Sequence, residues 1–237
     1  MISSYSVLDL ETTGLNPKKD RIIEIGAARI RDGIITEQYS TLVNPERILT
    51  EQTMEITGIH QNDLEHAPTI KQVLPEILAF LEEDVLIGHN ILFDFSFMKR
   101  AAVNAGFTFQ HDGIDTLKIA RKYLPELESR NLGFLCDYYQ IHLDAHRALN
   151  DAIATHSLYQ VLCGIYDKTA EQQEDAVFLP SKLHYQVKKE GPVTKAQKER
   201  LESLVERHHI QLEEEIHALT KNEASRLIDK ILAAYGR

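Results

Sequence analysis

Cysteine is nearly absent from this chain of 237 residues. Cys136 and Cys163 are the two present, and without a C-x-x-C spacing they support neither a disulfide framework nor a thiolate zinc site. Both are expected to be reduced and buried, acting as small apolar residues. Long apolar runs are also missing. No stretch approaches the roughly 18 residues that a membrane span needs, and Met1 to Tyr5 carry no cationic stretch ahead of an apolar core. A cytoplasmic protein without membrane contact is the expectation. Eleven histidines might suit a zinc enzyme, yet none falls in a ligand spacing such as H-E-x-x-H. There is no internal repeat and no low-complexity tract. Positive charge is short too: a net −10 argues against a protein that tracks long duplex through its phosphates. The deficit is uneven, with 15 Lys and Arg against 27 Asp and Glu up to Ser181, and 11 against 9 from Lys182 onward. An acidic body can accept an anionic substrate only where something local supplies positive charge. A divalent cation in a carboxylate cluster would do so.

What is present is an ordinary globular composition, 43% hydrophobic and 26% charged, in a chain long enough for one sizeable core and a small appendage. Tyr5 to Leu10 and Ile22 to Ile30 read as strands, with Glu24 an odd charged residue inside the second. Asp32-Gly33 is a hairpin signal leading into a third strand, Ile34 to Val43. After Pro68, Thr69 caps a helix whose apolar face is Ile70, Val73, Leu74, Ile77, Leu78 and Leu81. Val85 to Gly88 is a short buried strand. A helix follows through Phe95 to Ala105, ending at Gly106. Ile114-Asp115 is a fifth strand, Thr116 to Tyr123 and Asn131 to Tyr139 are helices, and Ala148 to Ile165 is a helix apolar nearly all round. Strands followed by alternating strands and helices predict an α/β fold, a mixed five-stranded sheet flanked by helices. Residues 1–165 form that domain. Residues 166–192, rich in Lys, Glu, Gln and Asp, read as a linker. Residues 193–237 form a small helical hairpin, opened by capping boxes at Thr194 with Gln197 and Thr220 with Glu223.

Three short fragments carry the chemistry: V-L-D-L-E-T-T-G with Asp9 and Glu11, G-H-N-I-L-F-D with Asp94, and H-R-A-L-N-D-A with His146 and Asp151. Asp9 and Glu11 are two apart, so both point to the same face of an extended strand. Unpaired carboxylates facing one way at the edge of a core are too costly to be mere packing. Thr12-Thr13-Gly14 lets the backbone turn and approach a substrate closely. Asp94 falls near the start of a helix, where the dipole favours a carboxylate. His146 and Asp151 would stand about 140° apart on one continuous helix. They can share a site only if His146 precedes the helix and Asp151 occupies its opening turns. There a histidine has the right intrinsic pKa to take a proton from an attacking water near neutral pH. His89 reads as a hydrogen-bonded structural residue, and Asn90 as one that orients backbone or substrate. Hard carboxylate oxygens suit Mg²⁺ or Mn²⁺, and two such ions supply what phosphodiester hydrolysis needs.

At these residues the chain resembles the DEDD superfamily of 3′ to 5′ exonucleases, histidine subclass. That group includes the proofreading subunit of bacterial replicative polymerases, ribonuclease T and oligoribonuclease. The resemblance runs from Ser4 to about Leu162 and includes the phrase I-T-G-I-H with Asp63, Leu64 and Pro68. It implies a ribonuclease H-like fold, two metal ions and release of 5′-mononucleotides from a free 3′ end. By the same match Asp9 would bridge both metals, Glu11 and Asp151 would complete one, and Asp94 would support the second through water. His146 would be the general base, and the Thr12 backbone would contact the terminal 3′-hydroxyl. Single-stranded 3′ ends of DNA are the expected substrate. The alternatives are RNA or short oligoribonucleotides and, from another class, a non-catalytic interaction module. The module is opposed by the presence of all five polar positions. The C-terminal helices are expected to bind nucleic acid or a protein partner.

Overall fold

The computed structural model describes residues 2–144, 146–167, 175–189, 191–212 and 215–236. They form two compact units, Met1–Val187 and Lys188–Arg237. In the first, β1 (Tyr5–Thr12), β2 (Ile22–Arg31) and β3 (Ile34–Leu42) make an antiparallel meander. It is followed by α1 (Glu51–Thr57), α2 (Gln61–Leu64), α3 (Ile70–Leu81), β4 (Leu86–Gly88) and α4 (Leu92–Ala105). Then come β5 (Asp112–Asp115), α5 (Thr116–Tyr123), α6 (Leu132–Tyr139), α7 (Ala148–Tyr166) and β6 (Ser181–Lys182). The sheet order is β3-β2-β1-β4-β5-β6, with β4 parallel to both β1 and β5.

The period of two along β1 sorts its side chains between two cores. Leu8 and Leu10 face α3 and α4, packing with Val73, Leu74, Ile77, Phe95 and Met98. Tyr5 and Val7 face the other way, packing with Ile119, Leu135, Leu158, Tyr159 and Leu162 of α5, α6 and α7. Asp9 and Glu11 continue that second row, so the strand that builds the core delivers two carboxylates to its own C-terminal end. On β2 the matching row is Glu24, Gly26, Ala28 and Ile30, because Asp9 pairs with Gly26 and Glu11 with Glu24. Cys136 and Cys163 are free and buried.

The sheet has six strands rather than the expected five, and part of the expected linker at 166–192 is folded. Ser181–Lys182 pairs antiparallel with Asp112–Gly113 as β6. Phe178 reaches the core at 2% exposure from a single 3-10 turn at Ala176–Phe178. The Leu183 N–H donates to the His111 carbonyl, and Leu183 and Tyr185 pack on the sheet. So few anchors leave no periodicity to read. Residues 168–174 and 190 of that expected linker lie outside the described residues. The short helices α1 and α2, before Pro68, were not expected either. They rest on long-range contacts such as the Thr53 hydroxyl donating to the Thr13 carbonyl.

In the second unit, α8 (Lys195–His208) and α9 (Lys221–Tyr235) open on the two expected capping boxes. Leu201, Leu204, Leu219, Ala224 and Ile231 form its core. Among the described residues, no helix is long and apolar enough to cross a membrane.

Candidate active site

Helix α7 lies against β1 and β2 because position 26 is a glycine. A Cβ there would sit 2.1 Å from the Ala148 carbonyl carbon and the Leu149 nitrogen. A methyl group would therefore force the first turn of α7 off the strand. With that turn seated, Asp151 comes to Asp9 and Glu11, and ligand oxygens of all three lie within 4.8 Å of one another. Residues separated by 142 positions in sequence are thus joined by one backbone-to-backbone approach.

His146 precedes α7, as the shared-site geometry requires. Its backbone takes a left-handed conformation, φ 68°, and its N–H donates to the Asp151 carboxylate at 3.1 Å. The side chain is exposed. Asp94 lies in the first turn of α4, 4% exposed, and its Oδ1 accepts the Leu10 N–H at 3.0 Å. β4 pairs with β1 only at Ser6 and Val7, so beyond that point the carboxylate occupies the strand's exposed edge. Asp94 stands outside the trio of close oxygens but acts on Asp9 electrostatically.

Past Glu11 the β1–β2 register shifts, and the chain turns through Thr12, Thr13 and Gly14. The Thr12 hydroxyl donates to the Gly14 carbonyl at 2.7 Å, and Thr13 Oγ1 accepts the Arg21 N–H at 3.0 Å. Gly14 leaves room for the Asp20 carboxylate, which a Cβ there would meet at 2.7 Å and push aside. Asn90 adopts φ 72°, with its N–H held by Asp115 at 2.9 Å. Both His89 ring nitrogens are engaged, Nδ1 with the Thr116 hydroxyl at 2.9 Å and Nε2 with the Arg130 carbonyl at 2.7 Å. That is the structural reading given to this histidine.

The electrostatics of the trio fit a bound cation. Burial, then the repulsion of Asp94, Asp151, Glu11 and Glu24, pushes Asp9 well above the usual carboxylate range. Glu11 is pushed up to about 7 by burial and by Asp151 and Glu24, against a lowering from Arg147. Burial also raises Asp151, against hydrogen bonds from the His146 and Arg147 backbone. Crowded hard-oxygen donors that resist sharing negative charge suit Mg²⁺ or Mn²⁺.

This crowding predicts a pH-dependent stability. The folded Glu11 holds its proton where an unfolded glutamate has lost it. Its contribution is therefore complete below about pH 4.5 and lost as pH rises through about 7. In chelator, the thermal midpoint should fall across that window. Mg²⁺ should restore it more at pH 8 than at pH 5, and an equal gain at both would contradict the assignment.

Residues 6–159 match the family model of the RNase T exonucleases. The chain belongs to that family. It is 40% identical over 152 residues to the PolC-type DNA polymerase III of Clostridium perfringens, an alignment covering 64% of this chain and 10% of the polymerase. It is 35% identical over 158 residues to the DNA polymerase III subunit epsilon of Aquifex aeolicus, covering 66% of this chain and 78% of that subunit. The chain thus spans about a tenth of the length of the PolC-type relatives. Among solved structures, exonuclease X in complex with 5′ overhanging duplex DNA superposes with a TM-score of 0.56 at 27% identity, covering 70% of this chain and 95% of that one. Exonuclease I superposes with a TM-score of 0.64 at 19% identity, covering 72% and 43% of the two chains, and shows the same fold. The α/β fold is accordingly ribonuclease H-like, and residues 6–159 are a DEDD-type 3′ to 5′ exonuclease domain, a phosphodiester hydrolase.

Two residues of this site escaped the motif reading. Gly26 and Glu24 seat α7, and neither carries a motif signal. A glutamate and a glycine on a strand face otherwise made of Ala28 and Ile30 were the one clue available.

Proposed function

We propose that this protein removes 5′-mononucleotides one at a time from single-stranded 3′ ends of DNA, dependent on two Mg²⁺ or Mn²⁺ ions. The observation carrying the reading is the convergence of Asp9, Glu11 and Asp151 within 4.8 Å. Asp9, Glu11, Asp94 and Asp151 would hold the ions, which when bound neutralise the scissile phosphate and make water nucleophilic. His146, beside Asp151 in an exposed position, takes the proton from the attacking water as general base. Thr12, Thr13 and Gly14, at the strand end next to Glu11, hold the terminal nucleotide through their backbone. Asn90, in its left-handed conformation at the turn leading into α4, orients the strand. DNA is favoured over RNA because the 35–40% identical relatives are DNA polymerase III proteins.

Matched DNA and RNA single strands labelled at the 5′ end test this directly. A descending ladder on DNA with Mg²⁺ or Mn²⁺, absent in chelator, is expected. A ladder on RNA alone would replace DNA by RNA as substrate, and internal cuts would reject the exonuclease reading.

The C-terminal unit is proposed to hold longer strands, since Lys188–Arg237 carries 10 Lys and Arg against 9 Asp and Glu in an acidic protein. The cut that tests this falls after Val187, because β6 and Tyr185 belong to the catalytic unit. The shortened chain should degrade very short oligonucleotides at the full rate. It should bind long strands more weakly, with a shallower salt dependence. Unchanged affinity and salt slope would leave a protein partner as the better occupant.

A further inference from the structure

We propose that Glu24 is a positioning residue for the hydrolysis: from β2 it fixes the segment that carries both His146 and Asp151. The proposal rests on the metal-dependent reading of the site given above. Glu24 is 1% exposed, and a buried carboxylate persists only where it is paired and hydrogen-bonded. Both of its oxygens are occupied. Oε2 accepts the Ala148 N–H at 3.1 Å, and Oε1 takes the Arg147 guanidinium at 3.0 Å. Those two partners are consecutive and lie between His146 and Asp151 in sequence.

The helix needs this support. Its N-cap position is Arg147, whose side chain makes no capping hydrogen bond to the helix's own N–H groups. The first turn leaves N–H donors without an intrahelical partner, and a carboxylate from a neighbouring strand serves one of them where the helix dipole also favours negative charge. Gly26 provides the room and Glu24 the fastening, both on the row of β2 that faces Asp9 and Glu11. The same first turn supplies the Asp151 carboxylate, which in turn accepts the His146 N–H. One strand residue thereby sets the distance between the β1 carboxylates and the two α7-side groups.

Glu24→Ala, Glu24→Gln and Arg147→Ala, compared with the unaltered protein, test this through three readouts: kcat against KM on single-stranded DNA, Mn²⁺ affinity by calorimetry, and thermal midpoint. Glu24→Ala should lose about 10–100-fold in kcat and in Mn²⁺ affinity, the range for residues that orient metal ligands, with KM nearly unchanged. Glu24→Gln keeps an acceptor for the Ala148 N–H and should recover most of both. Arg147→Ala cuts only one arm and should cost less than Glu24→Ala. A purely structural residue would lower the midpoint while leaving kcat per folded molecule and Mn²⁺ affinity as they were, and that result overturns the proposal. If Glu24→Ala does not fold, Glu24→Gln and Arg147→Ala decide: unaltered kcat and Mn²⁺ affinity in both rejects the role. Absence of cleavage by the unaltered protein would instead reject the proposed function, and the Mn²⁺ affinities would still decide the role of Glu24.

Discussion

Asp9→Asn should lower turnover on single-stranded DNA by about three orders of magnitude or more, and in chelator it should make the protein more heat-stable. The loss follows from the proposed place of Asp9 among the carboxylates that would hold the cation. Several kcal/mol of charge stabilisation depend on that cation, and each 1.36 kcal/mol is a factor of about ten in rate. The gain follows from the same crowding. Asp9 is held well above the ordinary carboxylate range by burial and by Asp94, Asp151, Glu11 and Glu24. Replacing the acid with a neutral amide of similar shape removes the cost that this crowded, buried carboxyl imposes on the metal-free fold at neutral pH, whether as charge or as bound proton. At about 2–4 °C per kcal/mol for a protein of this size, the midpoint should rise by several degrees. Mg²⁺ should then add little to it. A variant that loses activity through misfolding would show the opposite sign. Melting curves of both proteins at pH 7.5, with and without Mg²⁺, separate the two cases.

His146→Ala should cost about 10²- to 10⁴-fold in kcat, the contribution of a positioned proton acceptor. KM and Mn²⁺ affinity should change little, because the histidine's N–H anchor to Asp151 is a backbone group that alanine retains. The left-handed backbone at φ 68° is less comfortable for alanine than for histidine, so a glycine variant serves as the control. If both lose activity alike, the imidazole is responsible. If His146→Gly restores turnover, backbone strain is responsible and the general base lies elsewhere.

The carboxylates could be found in the sequence because their physics is local. Two acidic residues two apart in a strand must share a face, and a carboxylate following a short buried strand must meet the start of the next helix. The requirement that His146 precede its helix also came from arithmetic on helical turns, and the observed start at Ala148 meets it. What could not be found depends on partners distant in the chain. Glu24 reads as an intrusion on the apolar face of β2 until Ala148 is placed 124 residues later. Gly26 reads as a weak strand residue until a helix backbone arrives against it. The strand at Ser181–Lys182 has no pattern of its own and exists because β5 offers an open edge. Helices α1 and α2 are too short to show a period and lean on contacts outside themselves. Local chemistry thus picked out the candidate site residues, while the groups that seat α7 beside them became visible only with the fold.

The central claim is that Asp9, Glu11 and Asp151 hold the divalent cation that drives cleavage. Anomalous diffraction from crystals grown with Mn²⁺ tests it most directly. The account predicts a manganese peak within ligand distance, about 2.0–2.2 Å, of oxygens from all three carboxylates, and no peak there in crystals of Asp9→Asn. A fully active protein whose crystals show manganese elsewhere, with these three carboxylates free of it, would contradict the account.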